Sequence, residues 1–278
     1  MPENTKKSKL TAVTAAAAAA VVAALALGLE GCTVDAQSPA GARARAASDA
    51  GPDAAGQAAG APATGAGKGR GAPARTDCAT AKCIALTFDA GPGKHTARLL
   101  DILREKNVHA TFFLLGKNHV VPRPQLVRRL SDEGHEVANH TWSHRRLDQL
   151  GRDEIREELS RTQDAIAKIT GKKPTLMRPP QGRTNDDVTE VSKELGLAQI
   201  LWSATAKDYS TTDSELIKSR ILDQAGRDGI ILLHDIYDGT VPAVPGIIDE
   251  LKERGYTFVT VPELLAPAKA EPGEVYRP

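Results

Sequence analysis

Short apolar runs and longer amphipathic stretches alternate along the chain from residue 83 onward. Seven of the apolar runs have the length and pattern of strands. They lie at 84–88, 110–115, 136–138, 175–177, 198–202, 230–233 and 257–261. We therefore predict a sheet of about seven strands in this part of the chain.

The stretches between these runs have the periodicity of helices. Within 153–170, for example, Ile155, Leu159 and Ile166 recur at helical spacing. Similar patterns cover 96–106, 124–133 and 214–225, and glycines that can end helices stand at 134, 171 and 255. Repeated strand-then-helix units imply parallel strands with right-handed crossovers, so the sequence predicts an α/β fold, either a barrel or a doubly wound sheet.

Residues 1–31 have the pattern of a bacterial export signal of the lipoprotein type. Three lysines within 6–9 precede a nearly uninterrupted Ala/Val/Leu stretch at 10–29. The stretch stops at a Leu-Glu-Gly-Cys sequence that resembles a lipobox, although the glutamate replaces the usual small residue. We expect Cys32 to be lipidated and to anchor the chain to the outer face of the bacterial cell membrane. An uncleaved membrane anchor and ordinary secretion are the alternatives.

Composition divides the rest of the chain into three parts. Residues 32–77 are dominated by Ala, Gly, Pro and Thr, which predicts a flexible linker. Residues 78–265 hold nearly all the large apolar side chains and are expected to fold as one domain. Residues 266–278 are rich in Pro, Ala, Glu and Lys, and we expect a disordered tail.

The cysteines are consistent with an exported chain. There are three, an odd number. A disulfide between Cys78 and Cys83 at the start of the folded domain would leave Cys32 for the lipid. The alternative is that Cys78 and Cys83 are two buried thiols.

The formal net charge is +1 at pH 7, so the chain has no large overall charge that would attract a strongly charged partner. We therefore expect no nucleic-acid binding, and we expect a monomer. The seven histidines carry more information than the charge balance.

Polar residues of a catalytic type follow several of the predicted strands. In barrels and doubly wound sheets the carboxyl ends of the strands carry the functional site. The residues at these positions are Asp89, His140, Arg178, Asp208 and His234. Five such residues at five strand ends predict a single site.

His140 and His144 suggest a metal site. They stand four residues apart, and on one helical turn both imidazoles would lie on one face, as Zn²⁺ or a similar divalent ion requires. Asp89 ends an apolar strand, where a carboxylate is costly unless it has a role. His234 follows a distant strand and is available for proton transfer.

Together these residues resemble the motifs of a known family, the polysaccharide deacetylases with a NodB homology domain, which are carbohydrate esterases. Five motifs occur in the family's order, at 87–92, 140–144, 178–182, 202–209 and 231–234. The resemblance implies a deformed (β/α) barrel. It also implies metal-assisted hydrolysis of N-acetyl groups on a polysaccharide, with Zn²⁺ as the expected metal and Co²⁺ or Ni²⁺ as alternatives.

The resemblance also assigns catalytic roles. Asp89 would be the general base that takes a proton from the attacking water, and His140 and His144 would bind the metal. His234 would protonate the leaving amine. Arg178, paired with Asp208, would orient Asp89.

Four residues are implied to contact the substrate. The backbone N–H of Gln181 would help to hold the oxyanion, and Leu232 would line the pocket for the acetyl methyl group. Tyr209 would contribute to the sugar-binding wall, and Pro180 would also bind the substrate.

The chain departs from the family at the third metal ligand. Ala90 stands where the family usually has a second aspartate, which removes one charged donor. Gln181 replaces an aromatic residue, Tyr209 replaces Trp, and Thr205 replaces Asp.

We expect a hydrolase acting on an N-acetylated cell-wall glycan, either peptidoglycan or a chitin-like polymer of N-acetylglucosamine. Because Ala90 weakens the metal set, a catalytically impaired glycan-binding protein is one alternative. An O-acetyl esterase acting on xylan or a wall sugar is the other.

Overall fold

The computed structural model of the protein describes residues 76–278. Cys32 and the signal and linker segments up to residue 75 lie outside the described residues. The strands, numbered β1 to β9 in chain order, are Lys82–Gly91, Thr111–Leu114, Glu136–Asn139, Leu176–Met177, Ala198–Ile200, Ala204–Thr205, Gly229–His234, Tyr256–Val259 and Val275–Tyr276. All seven predicted strands are present, and β6 and β9 are additional.

Helices connect most of the strands. Numbered α1 to α7, they are Thr96–Glu105, Pro124–Asp132, Arg152–Thr170, Asp186–Glu194, Ser214–Gln224, Thr240–Glu253 and Val261–Leu264. The four helices predicted by periodicity match α1, α2, α3 and α5 to within one residue at each end. Gly134, Gly171 and Gly255 have the positive φ angles that end a helix in the left-handed conformation.

All the strand pairs are parallel, and the sheet runs β6-β7-β1-β2-β3-β4-β5-β9. At the centre, β1 pairs β7 on one edge. On the other edge it pairs β8 through its first half and β2 through its second half. The sheet therefore curls into a half-barrel with helices outside it, which confirms the deformed (β/α) barrel.

The alternation of side chains along β1 separates two apolar clusters. Ile84, Leu86 and Phe88 pack outward with the helices in the larger cluster. Ala85 faces the other way and belongs to a second cluster inside the curl. Because side chains alternate along a strand, Asp89 lies on the same face as Ala85 and points into the concave side.

The structure differs from the sequence prediction at the C-terminus, where disorder was expected for residues 266–278. There β9 pairs β5, with Val275 opposite Gln199 and Tyr276 opposite Ile200. The Tyr276 side chain also packs against the cluster inside the curl. A Pro- and Glu-rich composition gave no indication of this two-residue edge strand. The folded unit therefore extends past residue 265.

Cys78 and Cys83 form a disulfide in the structure. Both half-cystines are buried with Val259 against the start of β1, so the bridge fastens the incoming segment to the sheet. In the part of the chain from residue 76 onward, no helix combines the length and apolar character needed to cross a membrane.

Candidate active site

The predicted catalytic residues surround one cleft at the carboxyl ends of the strands. Strand register places Asp89 at the end of β1 directly opposite His234 at the end of β7. Asp89, His140, His144 and His234 all line this cleft, whose volume is about 510 Å³. The sequence-based expectation that these side chains lie together therefore agrees with their positions.

The Asp89 carboxylate is held by a buried arginine. Arg178 Nη1 donates to Asp89 Oδ1 at 2.7 Å, and Arg178 is fully buried while Asp89 is 3% exposed. The guanidinium also donates to the Thr87 hydroxyl and to the carbonyls of Ile200 and Leu201. This charge-assisted bond, made between two buried side chains, fixes the direction in which Asp89 points.

The expected pairing of Arg178 with Asp208 is wrong. Asp208 accepts hydrogen bonds from the backbone N–H of His234 at 2.8 Å and from His234 Nδ1 at 2.8 Å. The Thr240 hydroxyl donates to the same carboxylate at 2.7 Å. Four of the five motifs therefore form two pairs, in which Arg178 orients Asp89 and Asp208 orients His234.

The environment of His234 favours its protonated form. Burial lowers the pKa of the imidazole, but the hydrogen bond and the negative charge of Asp208 outweigh burial and leave the pKa raised. Because Nδ1 donates to Asp208, Nε2 is the nitrogen left for the cleft.

His140 and His144 lie close together, with ring centroids 5.0 Å apart, but not on a helical turn. The segment after β3 is a loop in which Thr141 has φ 75° and His144 has φ 64°. A spacing of four residues is compatible with either geometry, so the helical premise was wrong although the proximity was right.

A residue that the sequence reasoning missed supports this loop. Glu158 of α3 accepts hydrogen bonds from the backbone N–H groups of Trp142 and Ser143, at 3.1 and 2.8 Å. It is 6% exposed although it carries a carboxylate. Its signal in the sequence is a charged residue within the apolar stripe that Ile155 and Leu159 define on α3.

Both imidazoles are suited to bind a metal. His140 Nδ1 donates to the Arg178 carbonyl at 2.8 Å, which leaves the lone pair on Nε2, 3.8 Å from Asp89 Oδ2. Burial lowers the pKa of His140 to about 4 and also lowers the pKa of His144, so both rings are neutral near pH 7. Neutral imidazoles are the form that binds a divalent ion.

The two histidines provide only part of a metal site. Within residues 76–278, no group of three or more His, Cys, Asp or Glu side chains is placed to hold an ion. Ala90, at the position of the expected third ligand, has φ 65° and no donor atom. The residues present therefore fit two protein ligands, and the remaining positions would fall to water or substrate.

The turn after Asp89 packs tightly on a second missed residue, Asp235. A Cβ at Gly91 would lie 2.3 Å from Asp235 Oδ1, so only glycine fits there. Asp235 is fully buried, its Oδ2 accepts from the Thr96 hydroxyl, and its Oδ1 has no partner among the described residues. Burial raises the pKa of Asp235 to about 6. An acid directly after an apolar strand is its signal in the sequence.

Of the four predicted substrate contacts, three line the cleft: Gln181, Leu232 and Tyr209. Pro180 is buried and does not line it. Gln181 lies in a short 3-10 turn at φ 59°, which turns the chain at the edge of the site.

Four further residues line the same cleft and were not predicted as contacts: Trp202, Thr205, Lys207 and Tyr237. Three of them, Trp202, Thr205 and Lys207, fall within the fourth motif, which could have indicated them. Tyr237 follows the last motif by three positions and had no comparable signal.

Comparison with known proteins identifies relatives that act on peptidoglycan by name. The chain is 41% identical over 184 residues to the peptidoglycan-N-acetylmuramic acid deacetylase PdaC of Bacillus subtilis, an alignment that covers 66% of this chain and 38% of PdaC. It is 38% identical over 190 residues to a peptidoglycan-N-acetylglucosamine deacetylase of Bacillus cereus, covering 66% of this chain and 88% of the relative. The chain thus spans less than two fifths of the length of PdaC.

A solved structure described as a T48 deacetylase with substrate shares the fold. It has a TM-score of 0.70 and 39% sequence identity, and the match covers 73% of this chain and all of that one. The family model described as polysaccharide deacetylase matches residues 76–200. Fold, site and similarity agree, and the chain belongs to the polysaccharide deacetylase family.

Proposed function

We propose that this protein hydrolyses N-acetyl groups from the glycan of peptidoglycan. The observation that carries the proposal is that two oriented groups lie side by side in one cleft. Asp89, tied to Arg178, lies in register with His234, which is tied to Asp208. Amide hydrolysis requires a base and an acid within reach of the same bond, and neighbouring strand ends provide both.

Asp89 acts as the general base. Because Arg178 occupies Oδ1, Oδ2 is the oxygen that accepts the proton when water attacks the acetyl carbon. The hydrogen bond from Arg178 holds the carboxylate in this orientation before the attack.

His234 acts as the general acid. Its raised pKa favours the protonated ring, and Asp208 holds Nδ1 so that Nε2 delivers a proton to the leaving nitrogen. When the C–N bond breaks, the products are acetate and the free amine of the sugar. The backbone N–H of Gln181 is assigned to the developing oxyanion, and Leu232 to the acetyl methyl group.

The reaction is proposed to depend on a divalent metal, with Zn²⁺ as the first candidate, held by His140 and His144. When bound, such an ion polarises the acetyl carbonyl and lowers the pKa of a nearby water. The neutral state of both imidazoles and the fixed tautomer of His140 support the assignment.

The substrate assignment is supported by the relatives, whose names specify peptidoglycan. A chitin-like polymer remains the alternative substrate. We further propose that Cys32 anchors the protein to the outer face of the bacterial membrane, as the sequence from 1 to 32 predicts. Loss of detergent-phase partitioning in a Cys32→Ala variant would test the anchor.

One observation favours a second candidate, a glycan-binding protein with little turnover. Ala90 provides no third ligand, and no cluster of three metal-binding side chains occurs in the described chain. The experiment is an assay of acetate and amine release from peptidoglycan glycan strands, with and without added Zn²⁺ or Co²⁺.

The assay separates the three functions. Equal amounts of acetate and free amine, lost in Asp89→Asn, support the deacetylase. Acetate without amine indicates an O-acetyl esterase. Glycan binding without either product indicates the binding protein.

A further inference from the structure

Beside the catalytic cleft lies a second recess of about 550 Å³. Tyr209 and Tyr237 line both spaces, and the rings of both tyrosines approach His234 edge-on. The two recesses therefore adjoin each other and share two aromatic walls, and together we call them the groove.

The charged groups along this groove are paired with one another. Asp89 pairs with Arg178, and Asp208 pairs with His234. At the far recess, Lys94 and His95 both contact Asp238.

Lys207 is the exception among the charged residues that line the cleft. It is exposed, and its ammonium group makes no salt bridge or hydrogen bond to another residue within 76–278. An unpaired cation at the wall of a binding groove attracts an anionic group of the ligand.

The backbone at Lys207 is held in a conformation that does not favour lysine. Its φ of 49° and ψ of 44° lie in the left-handed region, where Gly or Asn is normally preferred. The Thr205 hydroxyl accepts from its N–H at 3.3 Å, and its carbonyl accepts from both the N–H and the hydroxyl of Ser210. A strained non-glycine residue at a cleft points to a role for its side chain.

From this position we propose that Lys207 is a specificity-determining residue that binds a carboxylate on the glycan. The proposal rests on the proposed function, because the carboxylate belongs either to the sugar that is deacetylated or to the sugar next to it. In wall glycan, N-acetylmuramic acid carries a lactyl carboxylate and N-acetylglucosamine carries none. Where the lactyl group is joined to a peptide, carboxylates of the peptide supply the same chemistry.

The test compares glycans that differ only in this charge. The full chain is assayed on strands with free lactyl carboxylates and on the same strands after reduction of those carboxylates to alcohols. Strands that keep their peptides form a third arm, which separates the two sources of carboxylate. Both KM and the dissociation constant are measured for each glycan.

The variants are Lys207→Met, which keeps the length but removes the charge, and Lys207→Arg, which keeps the charge. Lys168→Met, at an exposed position on the outer helix α3, is the matched control. We expect the wild type to bind the carboxylated strands roughly fivefold more tightly than the reduced ones. Lys207→Met should lose this preference in both KM and the dissociation constant, while the Arg variant and the control retain it.

Equal binding of the two glycans by the wild type, or an unchanged preference in Lys207→Met, would overturn the proposal. A preference that appears only with peptide-bearing strands assigns the carboxylate to the peptide. Because binding is measured independently of turnover, a protein that releases no acetate refutes the deacetylase but still decides the role of Lys207.

Discussion

Asp208 contacts His234 twice, through the backbone N–H and through Nδ1 of the ring, both at 2.8 Å. The double contact fixes the position of the residue and the orientation of its imidazole together. The negative charge of the same carboxylate favours the imidazolium. One buried acid therefore controls both the geometry and the protonation of the proposed general acid.

Replacing Asp208 with Asn should shift the pH profile of acetate release. The raised pKa of His234 depends on the Asp208 charge, so its loss lowers that pKa and deprotonates the acid at a lower pH. The alkaline limb of kcat should move to lower pH, with a loss of at least about tenfold above neutrality. An NMR titration of His234 gives the pKa directly.

The control for this experiment is Asp164→Asn, at an exposed position on α3. It should leave both the kinetic limb and the titration unchanged. If the alkaline limb stayed in place in Asp208→Asn, His234 would not be the acid whose ionisation limits the reaction.

The sequence predicted most of the elements and most of the site positions, because both follow from local patterns. Buried parallel strands are apolar runs, and the polar residue that ends each run marks the carboxyl edge of the sheet. The same patterns missed β6 and β9, since two-residue strands are too short to show periodicity. β9 forms only because its edge is paired to β5.

The sequence could not show which acidic and cationic side chains pair with each other when they are distant along the chain. Arg178, Asp208 and His234 were all identified, but motif order does not say which acid faces which cation. The partners follow from the curl of the sheet, which brings Arg178 to Asp89 and leaves Asp208 beside His234. Glu158 and Asp235 were missed for the same reason, because each is defined by the turn it supports.

Gly91→Ala should destabilise the protein and displace the base. The new Cβ would lie 2.3 Å from Asp235 Oδ1 and 2.8 Å from its Cγ, so the turn carrying Asp89 must shift. Overpacking of this kind lowers the free energy of unfolding by about 1–3 kcal/mol, which urea denaturation measures. Gly226→Ala, where a Cβ meets nothing within 4 Å, is the control and should be close to neutral. Equal stability of the two variants would contradict the tight contact.

Asp235 should make stability depend on pH. Its pKa rises from 3.8 to about 6 on folding, so the folded state favours the protonated acid. The stabilisation that Asp235 contributes is fully present below its unfolded pKa of 3.8. It is lost as pH rises towards 6, which lowers the free energy of unfolding by about 3 kcal/mol. Asp235→Asn cannot ionise, so its free energy of unfolding should fall less between pH 4 and 7.

The two proteins are compared by how steeply the free energy of unfolding changes with pH. Its absolute value is not compared, because the Asn amide also changes the absolute stability. Urea denaturation of both proteins at several pH values gives the slopes, with Asp164→Asn as the exposed control. Parallel slopes for the wild type and Asp235→Asn would mean that Asp235 ionises without cost in the folded protein.

Ala90→Asp should strengthen metal binding. The left-handed φ of 65° at Ala90 is one that Asp adopts more readily than most residues, so the turn can accept the change. A carboxylate beside the two imidazoles adds a charged donor, and we expect the dissociation constant for Zn²⁺ to fall at least about tenfold. Competition with a chromophoric chelator measures that constant without any assay of turnover.

Ala90→Asn is the matched control, since it has the same shape and tolerates the same backbone but brings no charge. If the Ala90→Asp and Ala90→Asn variants bind Zn²⁺ with equal affinity, residue 90 does not lie next to the ion. If His140→Ala also leaves affinity unchanged, the metal does not lie on the imidazole pair. Tighter binding in Ala90→Asp that disappears with His140→Ala would place all three side chains around one ion, and would identify Ala90 as the cause of a weaker site in this protein.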